Sequence, residues 1–210
     1  MTDHIVELVR RADSAFVQAI LRDGLGPSDF IDVEMSWRPA KVHLIQDLIS
    51  HGVARNQWPQ SLHWNWASKS PELELLHALG FGVICEDRWQ GVMLTTTATD
   101  FARLSGDKGK PIVYVEYLEA APWNWRIPVT GQESLYKGVG SLLFRQAVGQ
   151  SLGEGFKGRV GLHSLPQSID YYVEVCGMTL LGEDPSKQNL PYFEFTTDQA
   201  HHYLGLGDPQ

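Results

Sequence analysis

Apolar residues recur every three or four positions in several stretches of the chain, which is the spacing of an amphipathic helix. The first such stretch is residues 3–23, where one apolar stripe ends just before Gly24, a typical helix stop. Two later stretches begin at Pro71 and Pro166, and proline is tolerated in the first turn of a helix. The pattern therefore predicts helices over residues 3–23, 40–51, 71–79, 140–152 and 166–176.

Other stretches alternate or are continuously apolar and rich in β-branched and aromatic residues, which is typical of strands. Two of them flank Arg88–Trp89–Gln90 and predict a hairpin, FGVICED followed by GVMLTTT. Residues 54–70 are aromatic and polar without a clear period. No repeat or linker interrupts the chain, so we expect a single α/β domain over residues 1–210. The remaining strands are predicted over residues 30–37, 112–120, 159–163, 178–181 and 192–196.

The order of three elements in the second half restricts the topology. A strand at 112–120, a helix at 140–152 and a strand at 159–163 form a strand–helix–strand unit. Such units have parallel strands and a right-handed crossover. A ligand of this unit is expected near the carboxyl end of its first strand.

The sharpest local feature is the run Tyr136–Lys137–Gly138–Val139–Gly140–Ser141, between that strand and the helix. Two glycines let the backbone approach a ligand closely. The first-turn amides and the helix dipole suit an anion such as a diphosphate. The same run also fits a plain glycine turn into a structural helix, and it has neither the Walker Gly-Lys-Ser/Thr ending nor the third glycine of a dinucleotide fingerprint.

These features together resemble the GNAT acetyltransferase family. Leu118–Glu119–Ala120–Ala121–Pro122 is similar to the end of the family's central strand, and Gly138–Val139–Gly140 to its glycine loop. Tyr172 followed by Gly177–Met178 is similar to the end of the family's last core helix, and Gly91 fits its hairpin glycine. The likeness covers residues 80–196, whereas residues 1–75 are divergent.

The resemblance implies a mixed, strongly twisted sheet with a central parallel strand–helix–strand unit and helices on both faces. It implies an N-acetyltransferase that moves an acetyl group from acetyl-CoA directly to a primary amine of an unidentified acceptor. Pantetheine would pair with the strand edge, and an amide near Glu119–Ala120 would stabilise the oxyanion. The cofactor-binding residues it implies are Leu118, Glu119, Ala120, Tyr136, Lys137, Gly138, Val139, Gly140 and Ser141.

Three departures from the family's pattern keep a second function open. Leu135 occupies the position of a polar residue that begins the loop motif, and Pro122 lies sixteen residues before Gly138, a longer spacing than the family usually has. Val173 occupies the tyrosine position counted back from Gly177, with Tyr172 one residue earlier. The alternative is a non-catalytic acyl-CoA-binding module of the same fold.

The resemblance also implies a general base that deprotonates the amine and an acid that protonates the leaving thiolate. Glu116 and Glu119 are the candidate bases, and strict alternation along the strand places them on opposite faces and favours Glu116. Tyr172 is the candidate acid, with Tyr171 as the fallback. His163 is a further candidate base acting through water, although a lone histidine is more often structural.

Two Trp-x-Trp pairs lie in segments without clear periodicity. If either segment were extended, both rings of a pair would point the same way and wall a pocket, and tryptophan faces hold cationic or flat groups. Packing in the core or in loops is the alternative. The predicted substrate-binding residues are Trp64, Trp66, Trp123 and Trp125.

The amino-acid composition restricts the kinds of partner and the cellular location that we expect. Lys plus Arg is 17 and Asp plus Glu is 25, so the net charge is 17 − 25 = −8, which argues against nucleic acid, including a tRNA acceptor. No long apolar run or signal peptide is present, so we expect a cytoplasmic protein without a membrane segment. Cys85 and Cys176 are expected to be free buried thiols and the histidines lack metal-ligand spacing, so no metal is predicted. A homodimer stays open because similar proteins often form one.

Overall fold

The computed structural model describes residues 1–205, which form an α/β fold. The helices are α1 Pro27–Ser50, α2 Val139–Gly153 and α3 Thr197–Leu204. None of the helices among these residues is both long and apolar enough to cross a membrane. The strands are β1 Thr2–Arg10, β2 Phe16–Asp23, β3 Ala78–Cys85, β4 Arg88–Thr96, β5 Val113–Ala120, β6 Tyr136–Lys137, β7 Val160–His163, β8 Thr179–Asp184 and β9 Leu190–Glu194.

The chain divides into two compact units. The first comprises Met1–Met93 and Leu118–Leu143, and the second comprises Leu94–Tyr117 and the chain from Phe144 onward. Strands β4 and β5 and helix α2 each contribute residues to both units.

In the first unit the strands are arranged β6-β1-β2-β3-β4. β1 pairs with β2 in antiparallel register from Thr2↔Asp23 to Val9↔Phe16, and β6 adds Lys137 opposite Val9. Helix α1 begins at Pro27, where the Gly26 amide donates to the Asp29 carboxylate at 2.8 Å. The buried face of α1 follows the helical period, with Phe30, Val33, Trp37, Lys41, Leu44 and Leu48.

The prediction of a helix over residues 3–23 was wrong, because these residues form the β1–β2 hairpin. The apolar positions fit both periods, but cross-strand contacts decide the outcome. Leu8, Ala19 and Leu21 are buried on one face of the hairpin. On the polar side Arg22 donates to both carboxylate oxygens of Asp3 at 2.7 and 2.8 Å.

The strand predicted over residues 30–37 was also wrong, because this segment is the first half of α1. The alternation of Phe30–Trp37 was the basis for the strand, and Pro39 follows it at a position where a proline removes a helical hydrogen bond. The helix nevertheless continues through Pro39. The predicted helix over 40–51 is therefore the second half of a single 24-residue helix.

The predicted helix over residues 71–79 was wrong, because these residues form the end of a 3₁₀ segment, Ala67–Glu74, followed by the start of β3. The predicted helix over residues 166–176 is present but irregular. It begins as a 3₁₀ turn at Pro166–Ser168, continues through Ile169 and Asp170, and ends as a π-helical turn at Tyr171–Val175. The π turn closes its hydrogen bond one residue further along than an α-helix does, from the Cys176 amide to the Tyr171 carbonyl at 3.0 Å. This accommodates one extra residue between Tyr172 and Gly177.

The second unit contains the parallel pair that the sequence predicts. β5 pairs with β7 from Val113↔Val160 to Val115↔Leu162 in parallel, and α2 connects them along the chain. β9 pairs with β7 and β8 in antiparallel orientation, with an irregularity between Leu180 and Glu183. The predicted strand β5 and the predicted hairpin are confirmed, but the hairpin turns at Glu86–Asp87, and Arg88–Trp89–Gln90 belong to β4.

Candidate functional site

The glycine loop lies where β6 ends and α2 begins. Gly138 has a φ of +92°, a conformation that favours glycine, and a side chain there would meet only open space. The first intrahelical hydrogen bond joins the Leu142 amide to the Gly138 carbonyl at 2.9 Å. The amides of Val139 and Gly140 therefore belong to the turn that lacks intrahelical acceptors, at the positive end of the helix dipole. This geometry suits an anion.

The residues that lead into the loop are held by the surrounding chain. Tyr136 is buried, and its amide donates to the Asn124 side-chain oxygen at 2.9 Å. Lys137 is exposed and pairs with Val9 in the β6–β1 ladder. The loop therefore starts from a fixed strand, and Lys137 can add positive charge beside it.

Gly91 on β4 lets the first turn of α2 approach the sheet. A methyl group at Gly91 would lie 2.5 Å from Val139 Cγ1, 3.1 Å from Leu143 Cδ1 and 3.3 Å from the Glu119 carbonyl oxygen. The first two distances are too short for ordinary packing. The structure thus brings together the start of α2 and the carboxyl end of β5, two segments that the sequence placed in one cofactor site.

The direction of the backbone amides changes between Val113 and Ala121, the residue that follows β5. The Val113 amide donates to the Arg159 carbonyl at 3.1 Å, on the edge that faces β7, whereas the Ala121 amide donates to the Gln90 carbonyl of β4 at 2.8 Å. In a regular strand these two odd-numbered residues would point to the same edge. Strict alternation, from which opposite faces were predicted for Glu116 and Glu119, therefore does not hold over the whole stretch from Val113 to Ala121.

Glu119 is a buried ion-pair partner. Only 1% of its side chain is exposed, and the carboxylate lies 3.3 Å from Lys41 Nζ, whose side chain is 6% exposed. Trp66 Nε1 donates to the same oxygen at 2.5 Å. Burial raises the pKa of Glu119, while Lys41 and Trp66 act in the opposite direction. Glu119 is therefore anchored from α1 and from the segment before β3.

Lys41 was not anticipated from the sequence. It lies on the buried face of α1, and its ammonium also donates to the Trp64 carbonyl at 2.9 Å. A lysine at a position that continues the apolar period Phe30–Val33–Trp37 is the one signal that could have revealed it, because lysine is almost never buried without a partner. Which carboxylate it meets follows only from the tertiary structure.

A buried glutamine ties the chain after β5 to the glycine loop. Gln90 is 1% exposed, and its Oε1 accepts from Trp123 Nε1 at 2.8 Å and from Asn124 Nδ2 at 3.1 Å. Asn124 in turn accepts the Tyr136 amide. This hydrogen-bonded chain orders the long segment between Pro122 and Gly138.

The four tryptophans do not share one role. Trp66 is fully buried and packs edge-on against Phe30 and Trp37, so it supports Glu119 and cannot wall an open pocket. Trp125 packs on a core cluster and donates to the Ala120 carbonyl at 2.9 Å. Trp64 and Trp123 are partly exposed. The pairs separate because neither segment is a strand, so neighbouring rings need not point the same way.

Trp123 lines a surface depression of about 630 Å³ in the first unit. The Arg88 guanidinium carbon lies over one face of the Trp123 ring, 3.9 Å from the ring centroid. Leu135, which replaces the polar residue of the family's loop motif, lines the same depression. The lining residues are Arg11, Ala12, Trp123, Gln132, Glu133, Ser134 and Leu135.

The other two candidate catalytic residues lie in the second unit. Glu116 is half-buried on β5, and its charge, after burial, contributes to raising the pKa of Tyr114. Tyr172 is buried, with its ring 5.7 Å from Phe144 and 5.8 Å from Phe193 between centroids, and burial raises the pKa of its hydroxyl. The Tyr172 ring is thus rigidly held in an apolar surrounding.

His163 is held at both ring nitrogens. Its Nδ1 lies 2.6 Å from the Tyr114 hydroxyl and its Nε2 lies 3.1 Å from the Asp184 carboxylate. Burial lowers the pKa of His163, although Asp184 acts against it. With both nitrogens engaged, a structural role fits His163 better than the role of a base.

Comparisons with known proteins agree with this architecture at the level of the fold. No family model matches the chain, and no curated protein sequence matches it. A solved structure assigned to the GNAT acetyltransferase family from Desulfovibrio desulfuricans is similar, with a TM-score of 0.53, 10% identity, and coverage of 85% of this chain and 99% of that one. A bacterial toxin is similar with a TM-score of 0.50, 15% identity, and coverage of 71% and 82%. The chain therefore has a GNAT-like fold, as the sequence predicted.

Proposed function

We propose that this protein is an acyl-CoA-dependent N-acyltransferase that transfers an acetyl group from acetyl-CoA to a primary amine. The observation that carries the proposal is the α2 amino terminus, which begins after the exposed Gly138 and is packed through Gly91 against the carboxyl end of β5. The GNAT-like fold supports the same conclusion, because that arrangement is where the sequence resemblance locates the acyl-CoA.

The diphosphate of CoA would bind at Tyr136–Ser141. The amides of Val139 and Gly140 donate, the side chains of Lys137 and Ser141 lie beside them, and Tyr136 fixes the start of the loop. Because backbone groups supply most of these contacts, CoA binding would not require a polar side chain at the first position of the loop motif, which is Leu135 in this chain. Pantetheine would follow the main chain of Leu118–Ala120, where β5 extends five residues beyond its last pair with β7.

The chemistry is direct transfer between two bound substrates. A base takes a proton from the ammonium of the acceptor, and the amine attacks the thioester carbonyl to form the C–N bond. The C–S bond then breaks and an acid protonates the departing thiolate. The nitrogen loses its second proton, which restores the acid. We assign the base to Glu116, because Glu119 is committed to its ion pair with Lys41. Glu119 instead orients the β5 main chain that would bind the oxyanion, and Tyr172 stays the proposed acid.

The acceptor would approach along the depression lined by Trp123, which lies only three residues after Ala120. Trp64 is retained as a secondary candidate because it is partly exposed. The expected result for Trp123→Ala is a higher KM for the acceptor with an unchanged KM for acetyl-CoA. An unchanged acceptor KM would remove Trp123 from the acceptor site.

The test of the proposal is CoA binding measured by isothermal titration, with Ser141→Glu as the perturbation. A carboxylate in the first turn of a helix suits the helix dipole, so folding stability should be kept, yet it would repel a bound diphosphate. We expect CoA affinity to fall at least tenfold. Gln146→Glu on the same helix adds the same charge one turn further on and is the control. Equal affinities of the two variants, or no CoA binding by the native protein, would refute the proposal.

A second candidate is an acyl-CoA-binding module without turnover. The burial of Tyr172 among aromatic rings and the neutralisation of Glu119 by Lys41 favour it, because neither group is free to exchange protons with water. Thiol release from acetyl-CoA in the presence of a panel of amines distinguishes the two candidates. Binding of CoA with no thiol release above the hydrolysis background on any amine would select the module.

A further inference from the structure

The depression lined by Trp123 combines apolar and polar side chains. The Trp123 ring, Ala12 and Leu135 are apolar, whereas Arg11 and Gln132 offer polar groups. The volume of about 630 Å³ lies within the range of about 300–1,000 Å³ that is usual for small-ligand sites. In such sites a few polar groups fix the orientation of the ligand, so the polar groups of this depression indicate which class of ligand it takes.

The Trp123 ring already carries a cation of the protein itself. The Arg88 guanidinium lies over one face of the ring, and within residues 1–205 it forms no ion pair with a carboxylate. The indole is held in place because Trp123 Nε1 donates to Gln90 Oε1 at 2.8 Å. A second cation at this ring would be repelled by Arg88, so Trp123 favours an apolar group of the ligand over a cationic one.

Arg11 is positioned by one hydrogen bond and keeps the end of its guanidinium available. Its Nε donates to the Oγ of the buried Ser134 at 2.5 Å. Its Nη1 lies 3.7 Å from the Glu133 carboxylate, which is beyond hydrogen-bond distance. In the described part of the chain neither terminal nitrogen of Arg11 makes a hydrogen bond. These N–H groups can therefore bind both oxygens of a ligand carboxylate.

Glu133 is a poor partner for an ammonium group, because two arginines flank its carboxylate. Arg11 Nη1 lies 3.7 Å from one oxygen and Arg126 Nε lies 3.3 Å from the other. Together with Arg88 on the Trp123 ring, three guanidinium groups face one carboxylate among the residues that line the depression or contact its lining side chains. This local excess of positive charge favours a ligand that carries a negative group.

Gln132 offers a hydrogen-bond acceptor of fixed orientation. Its Nε2 donates to the Pro122 carbonyl at 2.7 Å and to the Trp125 carbonyl at 2.9 Å. Because both partners are carbonyl oxygens, the nitrogen of the Gln132 amide must face them. The opposite atom, Oε1, accepts no hydrogen bond from any residue between 1 and 205. It is thus available to accept from the N–H groups of an amine.

We propose that this depression binds an amino acid with an apolar side chain. The carboxylate binds Arg11, the amine donates to Gln132 Oε1, and the side chain packs on Trp123 and Leu135. Polyamines and other polycations are excluded by the excess of guanidinium groups.

Taken with the proposed function, on which this step rests, the bound amino acid is the acceptor. Its nitrogen forms a bond to the acetyl carbon, and the C–S bond of acetyl-CoA breaks. Of the two protons that the ammonium loses, one goes to the base and the other restores the acid that protonates the thiolate. The products are an N-acetylamino acid and CoA.

Isothermal titration with three ligands that share a phenyl ring tests the binding site. Phenylalanine should bind at least tenfold more tightly than phenethylamine, which lacks the carboxylate, and than 3-phenylpropanoate, which lacks the amine. The net charge of −8 attracts cations, so a preference for phenylalanine over phenethylamine cannot come from the overall charge. Either analogue binding as tightly as phenylalanine, or no binding of phenylalanine, would overturn the proposal.

Arg11→Gln tests the assigned carboxylate partner. This variant should bind phenylalanine at least tenfold more weakly and leave the affinity for phenethylamine unchanged, which also shows that the variant is folded. Arg38→Gln is the matched control, because Arg38 is an exposed arginine of α1 that does not line the depression. Equal affinities of the two variants for phenylalanine would contradict the assignment.

Thiol release from acetyl-CoA separates failure of this proposal from failure of the proposed function. Turnover with phenethylamine or spermidine but not with phenylalanine would overturn the acceptor class and leave acetyl transfer intact. Phenylalanine binding that depends on Arg11, without thiol release on any amine, would support the amino-acid site and refute the transfer. Turnover with phenylalanine that Arg11→Gln reduces through a higher KM would support both.

Discussion

Removing Lys41 should destabilise the protein far more than removing an average surface charge, because Glu119 would then be a buried carboxylate without its cation. The side chains of Glu119 and Lys41 are 1% and 6% exposed, and the charged atoms are 3.3 Å apart. Breaking a buried pair by removing one partner costs about 3–5 kcal/mol. We therefore expect Lys41→Met to lower the free energy of unfolding by about this amount at pH 8, measured by urea denaturation with tryptophan fluorescence.

The double variant Lys41→Met with Glu119→Gln separates the charge effect from packing. The introduced glutamine keeps an oxygen for Trp66 Nε1, and the introduced methionine fills the volume of the lysine stem. The main remaining defect is the Trp64 carbonyl, which loses its donor. An unsatisfied buried acceptor costs about 1–3 kcal/mol. The double variant should thus be more stable than Lys41→Met alone, a clear case of non-additivity between contacting residues.

The pH dependence provides a second readout. Burial already raises the pKa of Glu119, and removing Lys41 raises it further. A carboxyl whose pKa is raised in the folded state costs stability where it must ionise, so the deficit of Lys41→Met should shrink as the pH falls from 8 to 5 and Glu119 takes up a proton. A loss below about 1 kcal/mol at pH 8, or a deficit independent of pH, would refute the buried ion pair.

The other expectations concern packing, chemistry and acid stability. Gly91→Ala should lower the free energy of unfolding by about 1–3 kcal/mol through overpacking, and it should weaken CoA binding. Gly149→Ala, in open space on α2, should raise the free energy of unfolding by about 0.5–1 kcal/mol. Equal thermal denaturation midpoints of the two variants would contradict this. Tyr172→Phe should lower the turnover of an identified acceptor at least tenfold with CoA affinity unchanged, and an unchanged rate would exclude it as the acid. Burial lowers the pKa of His163, so this imidazole binds a proton more readily in the unfolded chain than in the folded one, and the free energy of unfolding should fall as the pH drops below about 6.5. His163→Gln should flatten that pH profile. An unaltered profile would show that His163 is not responsible.

The local part of the proposed site was readable from the sequence. The β5–α2–β7 order depends on patterns within short segments and was confirmed as part of a GNAT-like fold. The glycines at 138 and 140 do lie at the start of α2, and their role in binding CoA stays a prediction. The residues that surround the loop were not readable. Gln90 and Asn124 hold the segment before Gly138 through hydrogen bonds between residues 34 positions apart, and no local pattern encodes such a contact.

In the amino-terminal third of the chain, tertiary contacts decided the secondary structure against the local sequence pattern. Over residues 3–23 the apolar positions satisfied the helical and the extended period together, and pairing between β1 and β2 decided for strands. Over residues 30–37 the alternating pattern predicted a strand, yet packing of the α1 face that contains Trp37 and Leu44 gave one helix that continues through Pro39. In both cases the free energy of burial in the folded chain outweighed the local conformational preferences of the residues, which amount to between a fraction of a kcal/mol and about 3 kcal/mol.

The sequence by itself determined the order of the elements that carry the proposed acyl-CoA site, because periodicity and glycine placement act over a few residues. Only the tertiary structure decided that Glu119 is an anchor paired with Lys41 and that Trp66 is part of the core. These outcomes depend on which faces of distant segments meet, and burial changes the ionisation and accessibility of a side chain only once those faces are in contact.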